Sequence, residues 1–193
     1  MKRVCVFCGS KKGSHSIYSE VAKATGKAIV RRGIGLVYGG GHIGLMGIVA
    51  DAAIKEGGEV IGVIPEALVA KEVANPHLKD LRVVGSMHER KALMAELSDA
   101  FMALPGGYGT LEEFCEVLTW AQLGLHPKPC GILNINGFFD PLLSLFDHAV
   151  SEGFVSKAHR SLVLVEHDPE LLLERLMDYK PPALDKWIDL EET

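Results

Sequence analysis

Seven short apolar runs alternate with amphipathic helical patterns along almost the whole chain, and this alternation constrains the fold more than any other feature of the sequence. The runs are typical of buried strands because they are short and rich in Val, Ile and Leu. Strands that alternate with helices pair in parallel through right-handed crossovers. We therefore predict an α/β fold, with a Rossmann-like doubly wound parallel sheet in a single domain.

The predicted boundaries follow from where each pattern begins and ends. The strands cover residues 3–7, 35–38, 60–64, 81–84, 100–104, 131–135 and 162–165. The helices cover residues 17–32, 45–56, 88–97, 110–123, 141–152 and 169–177. Residues 65–79 fit a short helix or a loop equally well, because Pro76 interrupts a weak pattern. The stretch 181–193 begins with two prolines and is mainly polar, so we expect a C-terminal extension there.

Composition excludes several classes of protein. The formal charge of −5 argues against a general binder of nucleic acid or of anionic membranes. No signal peptide and no apolar run long enough to span a bilayer is found, so we expect a cytoplasmic protein. Cys5 and Cys8 are predicted to be buried hydrophobes rather than a redox or zinc pair, because residues three apart face opposite sides of a strand. The histidines show no ligand spacing, and neither a metal nor a cofactor is expected.

A glycine-rich turn, 105–109, separates the predicted strand at 100–104 from the predicted helix at 110–123. Its glycines let the backbone approach a ligand closely, and the free amides at a helix start attract an anion. We therefore predict a phosphate-binding turn here, within a nucleotide-binding domain that covers residues 1–180.

A second glycine cluster follows the predicted strand at 35–38 and matches G-x-G-x-x-G. No acidic residue ends the next strand, as a bound nicotinamide cofactor would require. We predict a phosphate-binding turn, and leave tight packing open as the explanation for Gly47. With Gly9-Ser10 as a third turn at the same sheet edge, the clusters favour a mononucleotide pocket. The predicted phosphate contacts of the second cluster are Gly39, Gly40, Gly41 and Gly44.

Arg90 occupies an unusual place, because it shares one face of its predicted helix with Met87, Met94 and Leu97. An arginine on an apolar face can extend to the surface or pair with a structural carboxylate. At the first turn of a helix near a phosphate pocket, its planar fork of donors also suits an anionic ligand.

Glu113 has two interpretations of about equal weight. The run 110–113 matches a capping box, in which Thr110 caps the amide of Glu113 and the Glu113 side chain returns to the amide of Thr110. A carboxylate held beside a glycine turn and an arginine is equally suited to bind ribose hydroxyls or to orient a water. Both roles can hold in part.

The helix predicted at 110–123 has a second face that is neither wholly apolar nor wholly polar. Opposite its apolar stripe lie Glu112, Glu116, Thr119, Trp120 and Leu123. Apolar side chains beside carboxylates favour a subunit interface near the pocket, so we expect a homodimer through this helix. The alternative is that Trp120 packs only within one copy.

Together these motifs resemble the LONELY GUY family of cytokinin riboside 5′-monophosphate phosphoribohydrolases, which are often labelled possible lysine decarboxylases. The resemblance rests on the turn 105–110 with Glu113, on the turn 39–47 and on the run 87–91, and it extends from Val4 to about Met177. It implies hydrolysis of the N-glycosidic bond in N6-substituted adenosine 5′-monophosphates, which releases free base and ribose 5-phosphate. It does not imply decarboxylation, since no Schiff-base lysine or pyridoxal cradle can be identified.

The resemblance also implies roles for particular residues. Arg90 and Glu113 would be the catalytic pair. The substrate-binding residues would be Glu72, Lys91, Gly106, Gly107, Tyr108, Gly109, Thr110, Leu111, Glu112 and Thr119. The flank of Glu72 departs from the Pro-Arg-Glu pattern of plant members, because Ala70-Lys71 precedes it.

Two alternative functions stay open at this point. One is a carrier that binds a nucleotide or a phosphorylated pterin without cleaving it, and the other is a hydrolase of plain nucleoside monophosphates. The combination of Arg90 with Glu113 favours an enzyme over a carrier.

Overall fold

A single sheet of seven parallel strands forms the centre of the part of the chain that the computed structural model describes, residues 1–69 and 74–182. The strands are β1 Arg3–Phe7, β2 Gly35–Tyr38, β3 Val60–Pro65, β4 Asp80–Val84, β5 Ala100–Ala103, β6 Cys130–Leu133 and β7 Val163–Glu166. The helices are α1 Ser16–Arg31, α2 Gly44–Lys55, α3 Glu66–Val69, α4 Met87–Glu96, α5 Tyr108–Gln122, α6 Asp140–Ser151, α7 Lys157–Arg160 and α8 Pro169–Met177. Every predicted strand and helix is present, with ends that differ by at most two residues.

The segment predicted as a short helix or a loop begins with the four-residue helix α3. Two other short elements were not predicted. The helix α7 and a 3-10 turn at Ile135–Gly137 are additional. Both are too short to show a helical period in the sequence.

The strand order is β4-β3-β2-β1-β5-β6-β7, which is the order of a doubly wound sheet. The predicted α/β Rossmann-like architecture is therefore confirmed. The chain moves outward through β2 to β4, returns to the centre through α4, and continues outward on the other side from β5. The reversal lies between β1 and β5, and in such sheets ligands bind at the carboxyl ends of the strands beside that reversal.

The central strand β1 contributes to a core on each side of the sheet, because successive side chains of a strand point to opposite faces. Val4 and Val6 pack in the core covered by α1, α2 and α8. Cys5 and Phe7 pack in the core covered by α4, α5 and α6. Cys8 belongs to the first core, so Cys5 and Cys8 face opposite sides of the sheet, as predicted, and both are free thiols.

The predicted C-terminal extension falls outside the described residues from position 183 onward. Glu72 also lies outside them, between the described positions 69 and 74. Within the two described ranges, no helix combines the length and the apolar character that crossing a bilayer requires.

Candidate active site

Two adjoining cavities lie where the strand order reverses. The larger one, called here the Tyr18 cavity, has a volume of about 330 Å³ and lies between the loop 9–13, Tyr18 and Phe138. The smaller one, called here the Glu113 cavity, has a volume of about 250 Å³. Both cavities are lined by Gly9, Ser10 and Gly107, so the turns after β1 and β5 form the boundary between them.

The turn after β5 is fixed by its contact with the turn after β1. The amide of Gly9 donates to the carbonyl of Pro105 at 3.1 Å, which extends the β1–β5 pairing into the turns. A Cβ at Gly106 would stand 2.1 Å from Thr110 Oγ1 and 2.8 Å from the amide nitrogen of Gly9. Position 106 therefore admits only glycine at this backbone geometry.

The capping box, one of the two interpretations of the run 110–113, does not match the helix start in the structure. Helix α5 begins at Tyr108 and its N-cap residue is Gly107, which has no side chain to cap with. Thr110 is already inside the first turn and is buried over Gly106. Because the helix starts two residues earlier than the sequence pattern indicates, Glu113 lies beyond the first turn and not at the position that a capping box requires.

The start of α5 faces the Glu113 cavity. Gly107, Tyr108, Gly109 and Thr110 all line it, and Tyr108 is 93% exposed. The first amides of an α-helix lack acceptors within the helix, and together they carry a partial positive charge. With no side-chain cap at Gly107, this end of the cavity is suited to an anion such as a phosphate group.

Arg90 lies in the first turn of α4 and is buried, with 4% of the residue exposed. Its Nη2 donates to the carbonyl oxygen of Gly39 at 3.1 Å, and its Nη1 lies 3.7 Å from Met87 Sδ. A Cβ at position 39 would stand 2.0 Å from Nη2, so the glycine makes room for the guanidinium. Arg90 does not extend to the surface. It is a buried cation that lines the Glu113 cavity.

Arg90 and Glu113 face each other across this cavity. The distance from Arg90 Nη2 to Glu113 Oε1 is 4.0 Å, and both side chains are largely buried. The effective dielectric around buried charges is low. Each of the two charges therefore acts strongly on a bound ligand. The structure thus brings the two predicted catalytic residues together beside the amide-lined end of α5.

Lys91 turns away from this pair, as its position on the helix requires. Its Nζ pairs with Glu112 and donates to Glu116 Oε1 at 3.0 Å. Burial lowers the pKa of Lys91, but the hydrogen bonds to Glu112 and Glu116 raise it, and the net pKa lies above the ordinary value. Lys91 is therefore a charged link between α4 and α5.

Four of the residues that the resemblance assigns to substrate binding do not line either cavity in the described part of the chain. Thr119 is on the outward face of α5, where its Oγ1 donates to the carbonyl of Cys115 at 2.7 Å. Lys91, Leu111 and Glu112 are the others. Their contact with substrate stays a prediction, as does that of Glu72.

The glycine cluster after β2 makes close backbone contacts. A Cβ at Gly44 would stand 2.2 Å from the carbonyl carbon of Ser10, and one at Gly47 would stand 1.8 Å from the carbonyl oxygen of His42. The amides of Leu45 and Met46 donate to the carbonyl of Gly9 at 2.9 and 3.4 Å. Tight packing therefore explains Gly47, and the phosphate role of the other glycines stays a prediction.

Several walls of the Glu113 cavity were not predicted from the sequence. Met46, Leu68 and Met87 come from α2, α3 and α4, and each is an ordinary apolar residue within its own helix. Nothing local in the sequence marks them as lining a site. Ser10 could be predicted from the sequence, because it follows β1 at the sheet edge that also carries the two glycine-rich turns.

Cys8 also lines the Glu113 cavity, but it is not a nucleophile at neutral pH. Burial raises the pKa of its thiol, and the charge of Glu113 raises it further. The thiolate form that attacks substrates is therefore suppressed. Across the described ranges, no three His, Cys, Asp or Glu side chains gather in a way that could hold a metal ion.

Solved structures of known proteins share this architecture. The molybdenum cofactor carrier protein of Chlamydomonas reinhardtii superposes with a TM-score of 0.70 at 22% identity, over 92% of this chain and 99% of that one. The molybdenum cofactor binding protein of Rippkaea orientalis superposes with a TM-score of 0.69 at 23% identity, over 92% of this chain and 97% of that one. At such identities the likeness shows the fold alone.

Sequence relatives are much more similar. A family model described as "Possible lysine decarboxylase" matches residues 46–176. The cytokinin riboside 5′-monophosphate phosphoribohydrolase LOG of Oryza sativa subsp. japonica is 53% identical over 93% of this chain and 74% of its own length. A cytokinin riboside 5′-monophosphate phosphoribohydrolase of Arabidopsis thaliana is 50% identical over 93% of this chain and 84% of its own length. The chain therefore belongs to the LONELY GUY family of cytokinin riboside 5′-monophosphate phosphoribohydrolases.

Proposed function

We propose that this protein hydrolyses the N-glycosidic bond of N6-substituted adenosine 5′-monophosphates, releasing the free base and ribose 5-phosphate. The observation that carries the proposal is the buried Arg90–Glu113 pair, at 4.0 Å, in the cavity beside the start of α5. The names of relatives that are 50 to 53% identical support the same activity.

The start of α5 is the proposed phosphate site. The amides of Tyr108, Gly109 and Thr110 have no acceptors within the helix, and all three residues line the cavity. An anion gains from these donors and from the helix dipole without an added lysine. The 5′-phosphate bound here places the ribose further into the cavity, towards Arg90 and Glu113.

Glu113 and Arg90 then act on the ribose. As the bond between the base nitrogen and C1′ breaks, positive charge develops on the ribose ring, and the Glu113 carboxylate stabilises it. The same carboxylate orients the water whose oxygen bonds to C1′ as the bond from C1′ to the base nitrogen breaks, and the proton that this water loses ends on the departing base. Arg90 holds phosphate or ribose oxygens so that C1′ stays next to the carboxylate.

A homodimer through α5 is part of the proposal. Trp120 is half-buried on the outward face of the helix, and Leu123, at its C-cap, is 41% exposed. Glu112 and Thr119, which the resemblance assigns to substrate binding, lie on this same face. A second copy placed here would cover the apolar side chains and bring these polar ones next to a neighbouring subunit.

The proposed location is the cytoplasm. All four cysteines are free thiols, and three of them are buried as small hydrophobes. Free thiols are typical of a reducing compartment.

One chromatographic assay tests the activity. The purified protein is incubated separately with N6-isopentenyladenosine 5′-monophosphate, with AMP, and with N6-isopentenyladenosine as the control that lacks the phosphate. The proposal expects free base from the first compound, much less from AMP, and none from the riboside. Equal release from AMP would favour a general nucleoside monophosphate hydrolase, and tight binding of the first compound without any release would favour a carrier.

A further inference from the structure

Asn75 is a buried polar residue, 2% exposed, that is not among the residues assigned to catalysis or substrate binding. It lies in the described segment before β4, and all of its polar groups are used. The backbone amide donates to the carbonyl of Gly40 at 3.1 Å. Its Nδ2 donates to Asp51 Oδ1 at 3.1 Å, and its Oδ1 accepts from the amide of His77 at 3.0 Å. Asn75 thus ties the turn after β2 to helix α2.

The turn that Asn75 holds is the one that positions Arg90. Gly40 has a positive φ of 77°, and the next residue, Gly41, bridges Ala74 in antiparallel fashion. The preceding carbonyl, that of Gly39, accepts the hydrogen bond from Arg90 Nη2. Asn75 is therefore one peptide unit away from the acceptor that holds the guanidinium opposite Glu113.

Ala74, the residue before Asn75, is hydrogen-bonded to the helix that carries one wall of the Glu113 cavity. The amide of Ala74 donates to the carbonyl of Val69, the last residue of α3, at 3.4 Å. Leu68, in the same helix, lines the cavity. The hydrogen bonds of Asn75 itself go to the turn after β2, to α2 and to the amide of His77, and its side chain lines neither cavity.

We propose that Asn75, with Asp51 as its acceptor, is a positioning residue for glycosidic cleavage: it holds the Gly39 carbonyl where Arg90 Nη2 meets it opposite Glu113. The predicted effect of Asn75 on kcat rests on the proposed function. The predicted effect on the position of Arg90 does not, because it can be observed without any activity.

The test exchanges the two side chains. In Asn75→Asp the donor to Asp51 is lost and two carboxylates face each other, so the turn shifts and Arg90 loses its acceptor. In the double variant Asn75→Asp with Asp51→Asn, an amide at position 51 again meets a carboxylate at position 75, which still accepts from the amide of His77. We expect kcat to fall at least about tenfold in the single variant, with KM changed less than about threefold, and to recover to within about threefold in the exchange.

The Arg90→Ala variant shows whether Asn75→Asp lowers kcat by displacing the Arg90 guanidinium. In Arg90→Ala, the further change Asn75→Asp is expected to leave the residual kcat unchanged, because the group it positions is absent. An equal loss of kcat in both backgrounds would overturn the proposal. Where Asn75→Asp does not fold, Asp51→Ala removes the same acceptor at a partly exposed site and carries the same expectations.

A crystal structure of the single variant tests the placement without turnover. The proposal expects the Arg90 guanidinium to have moved away from the carbonyl of Gly39. A variant that keeps this hydrogen bond at its original length would refute the positioning role, whatever its kcat. If the wild-type protein releases no base from N6-isopentenyladenosine 5′-monophosphate, the proposed function fails, and this crystallographic outcome still decides the role of Asn75.

Discussion

Gly39 and Arg90 are fitted to each other: the carbonyl of Gly39 accepts from Arg90 Nη2 at 3.1 Å, and a Cβ on Gly39 would stand 2.0 Å from that nitrogen. A glycine in the turn after β2 is therefore a condition for a buried arginine at the start of α4. Gly39 and Arg90 are far apart in the sequence, and the strand order alone brings them together.

Substitution of this glycine is expected to impair catalysis through the arginine. Gly39→Ala forces the guanidinium off its acceptor, so kcat/KM should fall about 100-fold, which corresponds to about 2.7 kcal/mol of transition-state stabilisation. Steady-state kinetics of base release measure this, with circular dichroism to verify folding. Unchanged kinetics in a folded Gly39→Ala protein would show that the position of Arg90 does not matter for turnover.

Removal of the charge at Glu113 is expected to reduce activity. Glu113→Gln keeps the shape of the side chain but cannot stabilise positive charge on the ribose, so kcat should fall by at least about 100-fold. The matched control is Glu96→Gln, the same change at the exposed end of α4, which should keep normal turnover. Near-normal turnover of folded Glu113→Gln would remove this residue from the mechanism.

The neighbouring glycines 106 and 107 should respond differently to the same substitution. A Cβ at Gly106 would meet Thr110 Oγ1 at 2.1 Å, whereas one at Gly107 would meet nothing within 4 Å. Gly106→Ala should cost about 1–3 kcal/mol through overpacking, and Gly107→Ala less than about 0.5 kcal/mol. Thermal denaturation compares the two variants. An equal loss of stability would contradict the close contact between Gly106 and Thr110.

His126 should make the protein less stable in mild acid. Burial lowers the pKa of His126, against the opposing effect of its hydrogen bond with Val117, and the charge of Lys128 lowers it further. The amide of Lys128 donates to Nδ1 at 3.1 Å, so Nδ1 must be unprotonated and the ring neutral, with Nε2 donating to the carbonyl of Val117. The unfolded chain binds the proton more readily than the folded one, so the free energy of unfolding decreases as pH falls below about 6.5.

Urea denaturation between pH 8 and pH 5 measures this dependence. The variant His126→Gln has no titratable group at this position, so its free energy of unfolding should change less over the same interval. Other histidines contribute equally to both proteins, and the difference between the two curves isolates His126. Parallel curves would mean that the ring is protonated as easily in the folded state as in the unfolded state.

A charge introduced on the outward face of α5 should dissociate the proposed dimer. Leu123→Asp places a carboxylate on that face and should convert a dimer into monomers. Leu171→Asp is the control, because Leu171 is 52% exposed on α8, in the opposite helix layer. Light scattering after size-exclusion chromatography reports the masses. A monomeric wild-type protein, or equal dissociation of both variants, would exclude this face as the interface.

The sequence predicted the architecture because each helix and strand is encoded locally by its own apolar pattern. The same pattern revealed Arg90, since a charged residue within an apolar stripe is visible without knowledge of the fold. It could not reveal Met46, Leu68 and Met87 as neighbours in one cavity, because each is an expected apolar residue of its own helix. Their proximity depends only on how α2, α3 and α4 meet.

The start of α5 shows where a local pattern misleads. Thr110 and Glu113 have the spacing of a capping box, but the pairing of β1 with β5 continues to the contact between Gly9 and Pro105. That long-range contact forces a tight turn at Gly106, and the helix begins at Tyr108 instead. The outcome is that Glu113 is available to face Arg90.

The pairing of β1 with β5 has a consequence for how the protein is made. Val4 lies beside Ala100 in the sheet, although every helix and strand from α1 to α4 is synthesised between them. A growing chain that has not yet released β5 from the ribosome has an open edge on β1 and no partner for the Gly9 turn. Both cavities require Gly107, so neither exists at that stage. Ligand binding at this crevice therefore begins only after more than half of the chain has been translated.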